Sequence, residues 1–121
     1  MLPDGNNVYG HVEAPRGLEQ VLAALQPLAS AGRVWLKTSG YDGTTTLHLE
    51  TDALDFATTP LGGGSHLFNG GVAGPAAEVI ARVETISSAL SAAGVEHEFE
   101  VYDADQNLVR VVPASVKDRV E

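Results

Sequence analysis

The chain has 121 residues, the size of one ordinary domain, long enough to bury roughly two thirds of the surface its unfolded form exposes. It has no cysteine, which excludes a disulfide framework, thiolate catalysis and cysteine-ligated zinc. Its 16 acidic residues against 7 basic ones give a formal net charge of -9, which disfavours nucleic acid and anionic lipid as partners and favours basic proteins.

The opening stretch Met1 to Asn7 lacks the basic-then-apolar order of a secretory signal. No apolar run approaches the ~20 residues that span a bilayer. Residues 1–121 therefore read as a single domain, with the cytoplasm as the expected location.

Val8 to Glu13 reads as a short strand, and Pro15 then stands where a helix favours its first residue. Leu18, Val21, Leu22, Leu25 and Leu28 form one apolar stripe at helical spacing, with Pro27 expected to tighten the last turn before Gly32. A hairpin follows. Arg33 to Ser39 and Thr44 to Thr51 are its strands and Gly40-Tyr41-Asp42-Gly43 its turn, with Leu47 and Leu49 on one face and Thr46, His48 and Glu50 on the other.

Asp52 to Pro60 holds one more short strand around Leu54-Asp55-Phe56-Ala57, and Pro60 to Gly64 reads as a mobile connection. From Ala76, Val79, Ile80, Val83, Ile86 and Leu90 give the strongest helical pattern in the chain, with Glu78 and Arg82 four apart outside it and Gly94 as the stop. Val95 to Tyr102 alternates almost strictly, which places Glu96, Glu98 and Glu100 on one solvated face and Val95, Phe99 and Val101 on the core. Asp103 to Asn107 turns the chain, and Leu108 to Val112 returns until Pro113 ends the pairing.

The two halves share an order of elements. Gly10, Val12 and Pro15 align with Gly70, Val72 and Pro75, while Val21, Leu28, Ala31 and Gly32 align with Val83, Leu90, Ala93 and Gly94 at an offset two residues longer. The expected architecture is α+β: a two-layer sandwich of one antiparallel sheet with two helices on one face, its order βαββ followed by βαββ, the pattern a duplication would leave.

Few motifs carry chemistry. The glycines from Gly62 to Gly74 lack the Lys-Ser/Thr pair and the glycine spacing of phosphate loops, so they read as a connection or lid, with His66 a surface residue within it. His48 and Glu50 share a strand face that His11 could complete as a metal site. Glu50, Asp52 and Asp55 offer carboxylates for acid and base work without a visible cleft, and no serine sits in a nucleophile elbow. His97 falls on the apolar phase of its strand, as a boundary histidine with a hydrogen-bond partner would. No catalytic residue, metal ligand or cofactor is assigned from these.

The acidic stretch is more pointed. Glu96, Glu98, Glu100, Asp103 and Asp105 follow one another without an intervening Lys or Arg, and Arg110 on the returning strand is the one candidate to neutralise them. Charge on a strand also guards sheet edges against aggregation. An uncompensated acidic ridge on a rigid domain, however, steers and holds a basic partner.

Two resemblances bear on this. Tyr102-Asp103-Ala104-Asp105-Gln106-Asn107-Leu108-Val109 resembles the closing hairpin of vicinal-oxygen-chelate proteins, themselves duplicated modules, though Gly94 to Asp103 is too short for the additional hairpin of that family. This implies a small-molecule or metal-dependent enzyme of a duplicated-module kind, for which His11, His48 and Glu50 of the strand faces are the candidate residues. The small, acidic, cysteine-free profile is similar to bacterial immunity proteins, which implies a non-enzymatic, antitoxin-like inhibitor. Its basic toxin would be held by Glu96, Glu98, Glu100, Asp103 and Asp105. That second reading is preferred, and a homodimer paired through an exposed strand is a further expectation.

Overall fold

The computed structural model describes residues 2–3, 5–29 and 32–113. Ala31 of the repeat alignment, and Met1 and Asp4 of the opening stretch, lie outside the described residues. The elements are β1 (Val8–Glu13), α1 (Glu19–Leu25), β2 (Arg33–Thr38), β3 (Thr45–Glu50), β4 (Leu54–Gly62), β5 (Ser65–Val72), α2 (Ala76–Ala92), β6 (His97–Tyr102) and β7 (Leu108–Val112). The seven strands form one antiparallel sheet in the order β2-β3-β4-β5-β1-β6-β7.

One face of every strand joins the helices in a single core. Val34, Leu47, Leu49, Leu54, Phe56, Phe68, Val72, Val8, Val12, Phe99, Val101 and Val112 line it from the sheet, and Val21, Leu25, Val79, Val83, Ile86 and Leu90 from the helices. The expected two-layer α+β architecture is therefore present. At its centre, Phe56, Phe68 and Phe99 meet with ring centroids 5.2 to 6.3 Å apart. Gly10 and Gly70 make room for them. A Cβ on Gly70 would lie 2.5 Å from Phe56 Cγ, and one on Gly10 would strike the Phe99 ring.

The duplication is not confirmed by this order. β1 and β5 are neighbours and each is followed by a helix and a hairpin, as two equivalent units would require. The β6–β7 hairpin, however, joins β1 through its first strand, whereas the β2–β3 hairpin is separated from β5 by β4 and presents its second strand inward. The likeness to duplicated chelate modules thus stays confined to the closing hairpin.

Two local expectations need correction. The first helix begins at Glu19 rather than Pro15, because 14–17 close a turn in which the Gly17 N–H donates to Ala14 O at 2.9 Å and Gly17 takes a φ of 103°. Pro27 does tighten the end, into a 3-10 turn at Gln26–Ala29. The supposed mobile connection is instead the tip of the β4–β5 hairpin: Gly62 pairs with Ser65, and Gly63 and Gly64 take φ of 64° and 88°, both positive as a two-residue hairpin turn favours.

Candidate partner-binding face

The helices cover one side of the sheet, so the alternate residues of each strand form a second face without a helical layer. One row across it reads Trp35, His48, Ala57, Asn69 from β2 to β5 and Tyr9, Glu100, Val111 from β1 to β7. The neighbouring row places Leu67, His11 and Glu98 side by side on β5, β1 and β6.

The acidic stretch lies at the β1–β6 end of this face. Glu98 stands opposite His11 and Glu100 opposite Tyr9. The Glu13 N–H donates to Glu96 O at 2.9 Å, which brings Glu13 beside Glu96 and extends the ridge by a residue from a strand distant in sequence. Glu13 accepts a hydrogen bond from the Ser65 hydroxyl and sits 3.3 Å from His11 Nδ1. Glu100 accepts from the Tyr102 hydroxyl at 2.8 Å, and that bond raises the Tyr102 phenol above its ordinary pKa. Tyr9 meets Tyr102 edge to face at 5.7 Å. A shallow cleft beside the ridge is lined by His11, Glu13, Ser91, Glu96, His97 and Glu98.

Asp103 and Asp105 play different parts. Asp103 Oδ1 accepts from the backbone N–H of Asp105 and Asn107, both at 2.9 Å, so this carboxylate closes its own turn. Asp105 is exposed on the same turn. Arg110 does not neutralise the ridge: it pairs with Val101 and so faces the helices, where its Nη1 lies 3.3 Å from Glu84 Oε2 of α2. Among the described residues, no lysine or arginine forms an ion pair with Glu96, Glu98, Glu100, Asp103 or Asp105.

The β2–β3 end carries a cation on the same face. Arg33 stands directly across from Glu50, which in turn faces Asp55, and the Arg33 guanidinium lies 3.9 Å from the centre of the Trp35 ring. Trp35 stacks on His48 at 5.1 Å, and His48 Nε2 lies 3.0 Å from Thr46 Oγ1. His48 and Glu50 share this end, but β4 and β5 stand between β3 and β1, three strand spacings or ~14 Å from His11. The three residues weighed as a metal site are not brought together, and among the described residues no three His, Cys, Asp or Glu side chains cluster to hold an ion.

The remaining histidines face the helices. His97 Nδ1 lies 2.8 Å from Val95 O, which only accepts, so in the neutral ring Nε2 accepts from the buried Ser87 hydroxyl at 2.7 Å. His66 is not a loop residue but lies on β5, where burial lowers its pKa against the opposing pull of Glu13, and its buried Nδ1 has no protein partner among the described residues.

Alternation alone puts Glu96, Glu98 and Glu100 on one face, but it does not bring Glu13, His11 and Tyr9 beside them. The outward phase of Tyr9, His11 and Glu13 is visible in β1, but only the pairing of β1 with β6 joins it to the ridge. No family model, curated protein or solved structure matches the chain. No helix among the described residues is long and apolar enough to cross a membrane.

Proposed function

We propose that this chain is a non-enzymatic protein-binding domain, an immunity or antitoxin-like inhibitor that neutralises a basic toxin in the cytoplasm of the cell that makes it. The observation that carries the reading is the carboxylate ridge Glu96, Glu98 and Glu100 on the uncovered face, which no lysine or arginine among the described residues pairs, with Glu13 and His11 beside it and Asp105 exposed on the adjoining turn. A sheet selected for stability alone intersperses opposite charges across neighbouring strands, as Arg33 and Glu50 do. Left unpaired, the ridge supplies the long-range field that accelerates capture of a cationic surface. Tyr9 and Tyr102 add amphipathic area of the kind that anchors interfaces.

The test is Glu98→Lys combined with Glu100→Lys. Both positions are on the uncovered face, outside the core, so the variant should keep the wild-type circular dichroism spectrum while capture of the basic partner weakens about tenfold or more. Unchanged capture by the folded variant would remove the reading. The metal-dependent alternative through His11, His48 and Glu50 has the separation of β1 from β3 against it. A thermal shift on adding divalent ions, lost in His48→Ala, would revive it.

A further inference from the structure

We infer that Tyr9, Glu100 and Tyr102 form a seat for one guanidinium, the side chain of an arginine on the basic protein that the ridge captures. This deepens the reading above and rests on it only for the protein that brings the arginine.

The chain itself shows which cation suits such a combination. At the β2–β3 end, the Arg33 guanidinium lies 3.9 Å from the centre of the Trp35 ring, and Glu50 stands across from Arg33 on the next strand. Aromatic ring and carboxylate recur at the β1–β6 end. Glu100 stands across from Tyr9, Tyr102 follows two residues along the same face, and the two phenol rings meet edge to face at 5.7 Å. On its other side Glu100 faces Val111, and among the described residues no lysine or arginine pairs with it.

The polar atoms are already oriented. The Tyr102 hydroxyl donates to Glu100 Oε1 at 2.8 Å, which fixes the carboxylate beside the rings, and the Tyr9 hydroxyl donates to Asn6 O at 3.2 Å. Tyr9 is 39% exposed and Glu100 is exposed, so a side chain arriving from solvent reaches both. It meets an acceptor and a π-surface about one strand spacing apart, ~4.8 Å. A guanidinium engages the two together, because its planar fork donates to the carboxylate while its weakly hydrated face lies on the ring. An ammonium makes the charge contact but holds its water more strongly. Glu98, two residues from Glu100 on the same face, adds to the field that draws the cation in.

NMR titration of the isotope-labelled chain tests this without the partner, using the capped peptide Gly-Arg-Gly-Arg-Gly against capped Gly-Lys-Gly-Lys-Gly of equal charge. The arginine peptide should shift the Tyr9, Glu100 and Tyr102 amides saturably and bind about threefold more tightly than the lysine peptide. Tyr9→Leu combined with Tyr102→Leu should erase that preference, Tyr9→Phe, which keeps the ring, should preserve it, and Glu100→Gln should weaken both peptides. Tyr41→Leu, on the exposed β2–β3 turn, should change neither. Equal binding of the two peptides by wild type overturns the inference, as does a preference that survives the double leucine variant. The seat and the toxin reading fail separately. An arginine preference in a chain that captures no basic protein supports the seat and removes the toxin, whereas capture that the double leucine variant leaves unchanged removes the seat alone.

Discussion

The two ends of the uncovered sheet face are built from the same kind of strand and differ in whether a cation stands among the carboxylates. At the β2–β3 end, Arg33 opposes Glu50 and covers Trp35, and the aromatic ring in turn stacks on His48. At the β1–β6 end, Glu98 and Glu100 oppose His11 and Tyr9, Glu13 lies beside Glu96, and the arginine that could have compensated them points to the other side of the sheet. Among the described residues, a cation stands in register with a carboxylate at one end, and no lysine or arginine does so with Glu98 or Glu100 at the other. The contrast lies in the cations: Glu50 has Arg33 on one side and Asp55 on the other, whereas Glu98 and Glu100 have a histidine, a tyrosine and a valine among their cross-strand neighbours and no lysine or arginine.

The comparison can be broken most severely through the core both ends share. Phe99 is fully buried between Phe56, Phe68 and His97, beneath the ridge. Phe99→Ala should cost about 3–5 kcal/mol by chemical denaturation, and loss of partner capture in that variant would report unfolding rather than the ridge. Glu98→Lys with Glu100→Lys should act in reverse, weakening capture about tenfold or more while stability holds or rises by a few tenths of a kcal/mol as like charges are relieved. At the β2–β3 end, Glu50→Lys sets a cation across from Arg33 but replaces the Glu50–Asp55 opposition by an attraction, so stability should stay within about 0.5 kcal/mol of wild type with capture unchanged.

The smallest effect is a pH dependence that separates imidazole from carboxylate. Burial lowers the His66 pKa below its ordinary 6.5. As pH falls below that value, the unfolded chain binds a proton that the folded chain resists, so stability declines toward acid. Thermal melts of His66→Gln should lose this part of the acid sensitivity, with the ridge variants retaining it.

Much of the fold was legible in the sequence because its period was clean. α2 shows an uninterrupted apolar stripe from Val79 to Leu90, and Val95 to Val101 alternates almost residue by residue. The β4–β5 hairpin was hidden for a physical reason. Its inward positions include Thr58, buried with its hydroxyl accepting from the Leu47 N–H at 2.9 Å, and Gly70, whose missing side chain is replaced by the Phe56 ring. A polar residue and a glycine at core positions erase the period of two on which strand recognition rests. The same limit applies to the ridge. Glu98 and Glu100 announce themselves by alternation, but Glu13 joins them through a pairing of β1 with β6 that spans most of the chain, and local pattern does not encode strand order.

The most direct measurement is affinity capture from lysate of the cells that make the chain, with wild type, Glu50→Lys and the Glu98→Lys/Glu100→Lys double variant as baits and captured proteins identified by mass spectrometry. The account predicts one basic protein, retained by the first two baits, lost with the third and released by raised salt. Capture of no protein by wild type, or equal capture by the double variant, contradicts it.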